Sequence, residues 1–253
     1  MIEFPVGEGT ASGYLALPQQ GAGARASIAS ENAGTRFPQA PAAGGEGPGI
    51  VVLHAWWGLN DFFKGVCDRF AQEGYVALAP DVYHGKIATT IEEAQQIRKT
   101  FESEQEQARA NAELTAAVTY LRQHPAVKGQ GIACVGFSMG GWSSYELSVL
   151  RPADVVAVAA FYGVGNPEAD YSAARAAYLG QYVEHDEWEP DEYVDLLEKK
   201  LRADGREATF YRYPGLSHWF MEDNRPDVYN AEAARVAWER LLVFLSRHLT
   251  RAA

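Results

Sequence analysis

The stretch Gly131-Ile132-Ala133-Cys134-Val135-Gly136-Phe137-Ser138-Met139-Gly140-Gly141 decides the reading of this chain. An apolar run leads into Gly-x-Ser-x-Gly, and a helix-compatible stretch from Trp142 to Leu150 follows, so the segment predicts a strand, a sharp turn and a helix. Small residues two before and two after Ser138 let the backbone pass through a strained corner without a side-chain clash. Ser138 is the candidate nucleophile.

Outward from that turn, strand-like and helix-like runs alternate. Ala11 to Leu17 reads as an edge strand, Gly49 to His54 as a central strand, Asp61 to Gln72 as a helix and Tyr75 to Ala79 as a strand. Glu92 to Arg122 reads as a helix broken or bent once. Beyond the turn come strands at Val155 to Phe161 and Ala177 to Val183, a helix at Asp191 to Ala203, a strand at Glu207 to Tyr213 and a closing helix at Asp227 to Leu249. This alternation predicts an α/β fold, a mostly parallel central sheet flanked by helices, in a single domain over residues 1–253. Gln19 to Pro48 is rich in Gly, Ala and Ser, which predicts a flexible surface-loop insertion over 19–48.

A net charge of -11 excludes the lysine and arginine excess on which nucleic-acid and anionic-membrane binding depend. The start Met1-Ile2-Glu3-Phe4-Pro5 lacks a basic segment followed by an apolar one, and no stretch reaches membrane-helix length. The expectation is a cytoplasmic enzyme, monomer or homodimer, that meets neither nucleic acid nor membrane. Cys67 and Cys134 fall in a helix and a strand and read as core residues, with no metal cluster and no cofactor implied.

A serine hydroxyl needs a histidine to take its proton and an acid to orient that histidine. His218 lies in Tyr213-Pro214-Gly215-Leu216-Ser217-His218, directly after the last strand, where parallel sheets carry their chemistry. His124 and His248 read as surface residues, His84 and His185 as solvated loop residues, and His54 as structural or supporting. The acid comes from Glu184-His185-Asp186-Glu187-Trp188-Glu189-Pro190. Asp186 is the choice and Glu184 the rival; the order Ser138, Asp186, His218 is that of α/β-hydrolase triads. Oxyanion donors are expected from the backbone N–H of Met139, just after the nucleophile, and of Trp56, in the loop Leu53-His54-Ala55-Trp56-Trp57-Gly58. Trp56, Trp57, Tyr83, Tyr145, Tyr162, Trp188 and Trp219 are candidate pocket walls, Trp57 and Trp219 foremost because each adjoins a proposed catalytic position.

Gly13 to Pro18, Val51 to Asn60, Gly74-Tyr75-Val76-Ala77-Leu78-Ala79-Pro80-Asp81-Val82-Tyr83, the Gly136 to Gly141 turn, Asp186 and His218 together resemble the dienelactone hydrolase family over nearly the whole chain outside Gln19 to Pro48. The resemblance implies an α/β-hydrolase fold without a large cap domain, hydrolysing esters or lactones without metal or organic cofactor. The family nucleophile is characteristically cysteine, and a glutamate often follows the third strand; Ser138 and Ala55 stand there, a self-consistent pair of changes. Dienelactone-cleaving members hold the substrate carboxylate with arginines, one of them four residues past the histidine, where this chain has Glu222. A carboxylate there is expected to repel an anionic lactone, which favours small neutral esters. The alternatives are a lactone hydrolase for an anionic substrate, with Arg98 or Arg225 as the basic group, and a catalytically silent ligand-binding fold.

Overall fold

The computed structural model describes residues 1–19 and 45–249. The expected 19–48 insertion lies almost wholly outside them. The Gly45 N–H donates to the Pro18 carbonyl at 2.8 Å, so the chain departs and returns at adjacent points. Its C-terminal boundary falls short of Pro48, because the next strand already begins at Gly47.

Among the described residues, eight strands form one sheet: β1 (Ile2–Val6), β2 (Gly9–Ala16), β3 (Gly47–Leu53), β4 (Val76–Pro80), β5 (Val127–Phe137), β6 (Val155–Phe161), β7 (Ala177–Val183) and β8 (Ala208–Tyr213), in the order β1-β2-β4-β3-β5-β6-β7-β8. The pairings β1 with β2 and β2 with β4 are antiparallel, and the others are parallel. The same residues form six helices: α1 (Asp61–Gln72), α2 (Ile91–Lys99), α3 (Glu104–Gln123), α4 (Met139–Leu150), α5 (Asp191–Ala203) and α6 (Ala231–His248).

Both faces of the sheet are covered, which is why β3 reads as an uninterrupted apolar run rather than an alternating one. Ile50 and Val52 enter a core shared with α1 and α6, while Val51 and Leu53 enter a second core shared with α3, α4 and α5. From β3 the chain first moves one way to β4 and then crosses back to β5 on the other side. That reversal opens a crevice at the carboxyl ends of β3 and β5, where open α/β sheets bind ligands.

The stretch expected as a helix broken or bent once is α2 and α3, divided where Ser103 caps a fresh start by accepting the Glu106 N–H at 3.2 Å. Two expectations need correction. The edge strand is β1, and Ala11 to Leu17 belongs to the next strand in. β1 is short and carries Glu3 and Pro5, both exposed, which masks its strand pattern. His124 and His248 are half-buried rather than surface residues: a His124 ring nitrogen accepts the Ala126 N–H, and His248 packs on Phe244. Cys67 and Cys134 are buried free thiols, both pushed up in pKa by desolvation. Among the described residues, no helix is long and apolar enough to cross a membrane.

Candidate active site

The elbow forms because the parallel ladder runs directly into it. The Ser138 N–H donates to the Phe161 carbonyl of β6 at 2.9 Å, and the next residue already begins α4. Ser138 pays a backbone penalty there, with φ 51° and ψ -118° in a region that non-glycine residues rarely occupy. Two glycines make the corner possible. A Cβ on Gly136 would strike the Gly140 carbonyl, and one on Gly140 would strike the Leu53 carbonyl at the end of β3. The second contact presses the loop after β3 against the first turn of α4.

His218 Nε2 lies 2.9 Å from Ser138 Oγ, and His218 Nδ1 lies 2.7 Å from Asp186 Oδ2. Both side chains of the second pair are withdrawn from water, at 1% and 3% exposure, so little solvent competes for that contact. The other carboxylate oxygen, Oδ1, accepts the N–H of Trp188 at 2.9 Å and of Glu189 at 3.4 Å, which fixes the acid by its own turn. The three groups expected from the sequence are thus brought together in hydrogen-bonded sequence. The rival Glu184 is exposed at the end of β7.

As the first residue of α4, Met139 presents an N–H with no intrahelical acceptor, at the positive end of the helix. Trp56 stands in the loop that the Gly140 contact holds nearby. The Tyr83 hydroxyl reaches Met139 Sδ at 3.4 Å, and burial pushes its pKa up to about 12, so it remains a neutral hydroxyl. His54, at the end of the same strand as that loop, is buried with Nδ1 on the Ala55 carbonyl at 2.7 Å, and desolvation lowers its pKa.

Four indoles gather beside these groups. Trp56 meets Trp57, Trp188 and Trp219 at ring distances of 5.5, 5.1 and 5.9 Å, and Trp188 meets Trp219 at 5.4 Å. Trp57, Trp219 and Tyr83 are sealed into the core, whereas Trp56 is half-buried and Trp188 is 38% exposed. The reachable indole faces therefore belong to Trp56 and Trp188. The Arg225 guanidinium lies 4.5 Å over the Trp57 ring and 4.6 Å over the Trp219 ring and pairs with Asp227 at 3.2 Å.

Glu222 overturns the expectation attached to it. It is completely buried, its Oε1 accepts the Tyr162 hydroxyl at 3.0 Å, and desolvation pushes its pKa up to about 8. A buried carboxyl that is mostly neutral at pH 7 presents no charge to repel an anion. Sequence reasoning missed it because an isolated glutamate reads as exposed. Glu189 is half-buried beside Asp186, and desolvation together with that neighbouring charge pushes its pKa up to about 8. Among the described residues, no three of His, Cys, Asp and Glu gather as a metal-binding group.

Comparison with known proteins gives a consistent neighbourhood. The model of the dienelactone hydrolase family matches residues 36–249. "Protein usf" of Aquifex pyrophilus is 30% identical over 256 aligned residues, covering 99% of both chains. A "Putative carboxymethylenebutenolidase" of Methylorubrum extorquens is 34% identical over 213 residues, covering 79% of this chain and 72% of that one. Among solved structures, a dienelactone hydrolase-like promiscuous phosphotriesterase from metagenomic libraries superposes with a TM-score of 0.79 at 21% identity, covering 98% and 97% of the two chains, which is a likeness of fold.

Proposed function

Because the chain belongs to the dienelactone hydrolase family and is thus a hydrolase, we propose that it cleaves small carboxylic esters or lactones through an acyl-enzyme formed on Ser138. The observation that carries this reading is the run of contacts from Ser138 Oγ to His218 Nε2 and from His218 Nδ1 to Asp186, at 2.9 and 2.7 Å. In that arrangement His218 Nε2 takes the hydroxyl proton as Ser138 Oγ attacks the substrate carbonyl. Asp186 keeps Nδ1 protonated and stabilises the imidazolium that forms. The N–H groups of Met139 and Trp56 receive the oxyanion, and collapse of the intermediate breaks the C–O bond while His218 returns the proton to the leaving alkoxide. Water repeats the sequence on the acyl-enzyme, releasing the acid and restoring Ser138. In a lactone, the leaving hydroxyl stays on the same molecule.

The test is turnover of p-nitrophenyl acetate by the intact chain and by Ser138→Ala, His218→Ala and Asp186→Asn. Wild-type turnover that survives Ser138→Ala would refute the reading.

A second reading, an anionic lactone as substrate, gains support from two observations. Glu222 is buried and largely neutral, so the repulsion expected from it is absent, and the Arg225 guanidinium stands beside Trp219, next to His218. The name of the Methylorubrum relative specifies a carboxymethylene butenolide, a lactone that bears a carboxyl group. Raised KM for a carboxylated butenolide in Arg225→Gln, with KM for p-nitrophenyl acetate unchanged, distinguishes this reading from the neutral-ester one.

A further inference from the structure

Against His218 sits a polar pair that the mechanism above leaves unused. The Tyr162 ring packs against the imidazole at 4.8 Å between centroids, and its hydroxyl donates to Glu222 Oε1 at 3.0 Å, with both residues completely buried. Tyr162 follows β6 directly and holds φ 41°, a left-handed conformation that costs a non-glycine residue energy and is kept here by its surroundings. Its N–H is tied to the Gln181 carbonyl at 2.9 Å. Glu222 is fixed as firmly: its N–H donates to the Trp219 carbonyl at 2.9 Å, and its own carbonyl accepts the Arg225 N–H at 2.9 Å. The Glu222 backbone thus closes the turn that begins right after His218, while its side chain reaches across to the residue on which His218 rests.

We propose that Glu222 is a positioning residue for His218, acting through the Tyr162 hydroxyl to hold the imidazole at hydrogen-bonding distance from Ser138. The inference rests on the serine-hydrolase reading, and neither group touches substrate or the reacting atoms. Burial favours its neutral form, while the Tyr162 hydroxyl, Arg225 and the Trp57 indole favour the ionised one. Glu222 Oε2 is buried without a hydrogen bond of full geometry, and so is the Trp57 indole nitrogen, although the two lie close enough for the indole to favour the ionised form. The charged and titratable groups facing Glu222 are Tyr162, Arg225 and Asp223, and His218 and Asp186 lie near Tyr162 in turn. Ionisation would place an anion among them in a fully buried site. It would draw Arg225 from its seat over Trp57 and Trp219, loosening the turn that carries His218.

The experiment measures kcat and KM for p-nitrophenyl acetate from pH 6 to 10, with thermal melts, for the intact chain, Glu222→Gln, Glu222→Leu and Tyr162→Phe. Displacing a reacting group by a fraction of an ångström costs up to about 100-fold, so Glu222→Leu should lower kcat at pH 7 about 10- to 50-fold with KM within about twofold. Tyr162→Phe, which keeps the ring and removes the bond, should lower kcat by about fivefold. Glu222→Gln accepts the same hydrogen bond and should stay within about threefold at pH 7. It should also abolish the decline in kcat that the intact chain shows above pH 8 or so, where Glu222 ionises. Tyr162→Phe should move that decline to higher pH, because the tyrosine bond favours the carboxylate. Lower melting temperatures with kcat and its pH profile unchanged in Tyr162→Phe and Glu222→Gln would overturn the proposal in favour of plain packing, and these two variants decide the matter if Glu222→Leu does not fold. A failure of the underlying reading looks different: the intact chain itself then shows no turnover that depends on Ser138.

Discussion

Two aromatic clusters flank this sheet, and they differ in whether their polar atoms are satisfied. In the core shared with α4 and α5, Tyr145 lies flat against Tyr178 with 3° between ring planes, and Tyr171 and Tyr182 complete the group. Every hydroxyl there is closed: Tyr145 with Tyr182 at 2.9 Å, Tyr178 with Ser148 at 2.8 Å and Tyr171 on the Asn166 carbonyl at 3.0 Å. At the elbow, by contrast, the buried indole nitrogens of Trp56 and Trp219 have no hydrogen-bond partner among the described residues. The positive-φ residues Ser138, Tyr162 and Trp219 lie in the same region. A satisfied buried network stabilises a scaffold, whereas orphaned donors and strained dihedrals cost stability and persist where a site requires them. We propose that the tyrosine cluster is scaffold and the tryptophan cluster part of the site.

The sharpest way to break that contrast is to remove the chemistry at the elbow. Ser138→Ala and His218→Ala should each lower kcat by at least about 1,000-fold, since members of such a unit fail together. Asp186→Asn should cost somewhat less, about 100-fold or more, through loss of the histidine's orientation. Melting temperatures of the Ser138 variant should change little, because alanine keeps the same strained backbone and loses one hydrogen bond, that of Oγ to His218. A loss of activity that merely tracks unfolding would erase the distinction between site and scaffold.

One replacement in each cluster sharpens the comparison further. Trp188→Ala removes a reachable indole face and should lower kcat/KM about threefold to tenfold, from lost contact of about 1 kcal/mol, with little change in melting. Tyr145→Phe should do the reverse, costing about 1 kcal/mol of stability for one buried hydrogen bond while leaving kcat unchanged. Stopped ester assays and denaturant titrations on the same preparations report both quantities, and matching profiles for the two variants would contradict the division.

The remaining test concerns pH and reads a slope in stability rather than a loss of activity. Burial raises Glu222 from 4.5 to about 8, so the native state keeps a proton that the unfolded chain has released. Between those values the unfolded chain binds fewer protons, and stability must fall as pH rises, by up to about 1.4 kcal/mol per pH unit from this group. Below pH 4.5 or so that penalty vanishes. Glu189 and Glu146, raised to about 8 and about 7, contribute in the same direction, so the informative quantity is the difference in slope between the intact chain and Glu222→Gln. The variant should be less steep over that window.

How far the sequence anticipates all this depends on how local each signal is. The elbow was legible because its glycine requirement and its entering strand are contiguous, and α1 because Asn60 caps it through the N–H groups of Phe62 and Phe63. A break between Glu92 and Arg122 was legible too, and the structure places it where Ser103 caps α3 through the Glu106 N–H. β1 was not legible, since Pro5 and exposed Glu3 disguise an edge strand whose pairing comes from β2. Asp186 was preferred to Glu184 because it stands farther past the end of the strand and can reach back to the histidine loop, and which of the two turns inward is set by the Asp186 turn bonds that only the fold displays. The burial of Glu222 was out of reach, because its partner Tyr162 lies 60 positions away and nothing local marks the pair.

The most direct measurement is intact-mass analysis after exposure to a fluorophosphonate ester, followed by peptide mapping. The account predicts one phosphonyl adduct per chain, carried by Ser138, absent in Ser138→Ala and formed at least about 100-fold more slowly in His218→Ala. An adduct on another residue, or none on a folded chain, would contradict the claim that Ser138 is the activated nucleophile.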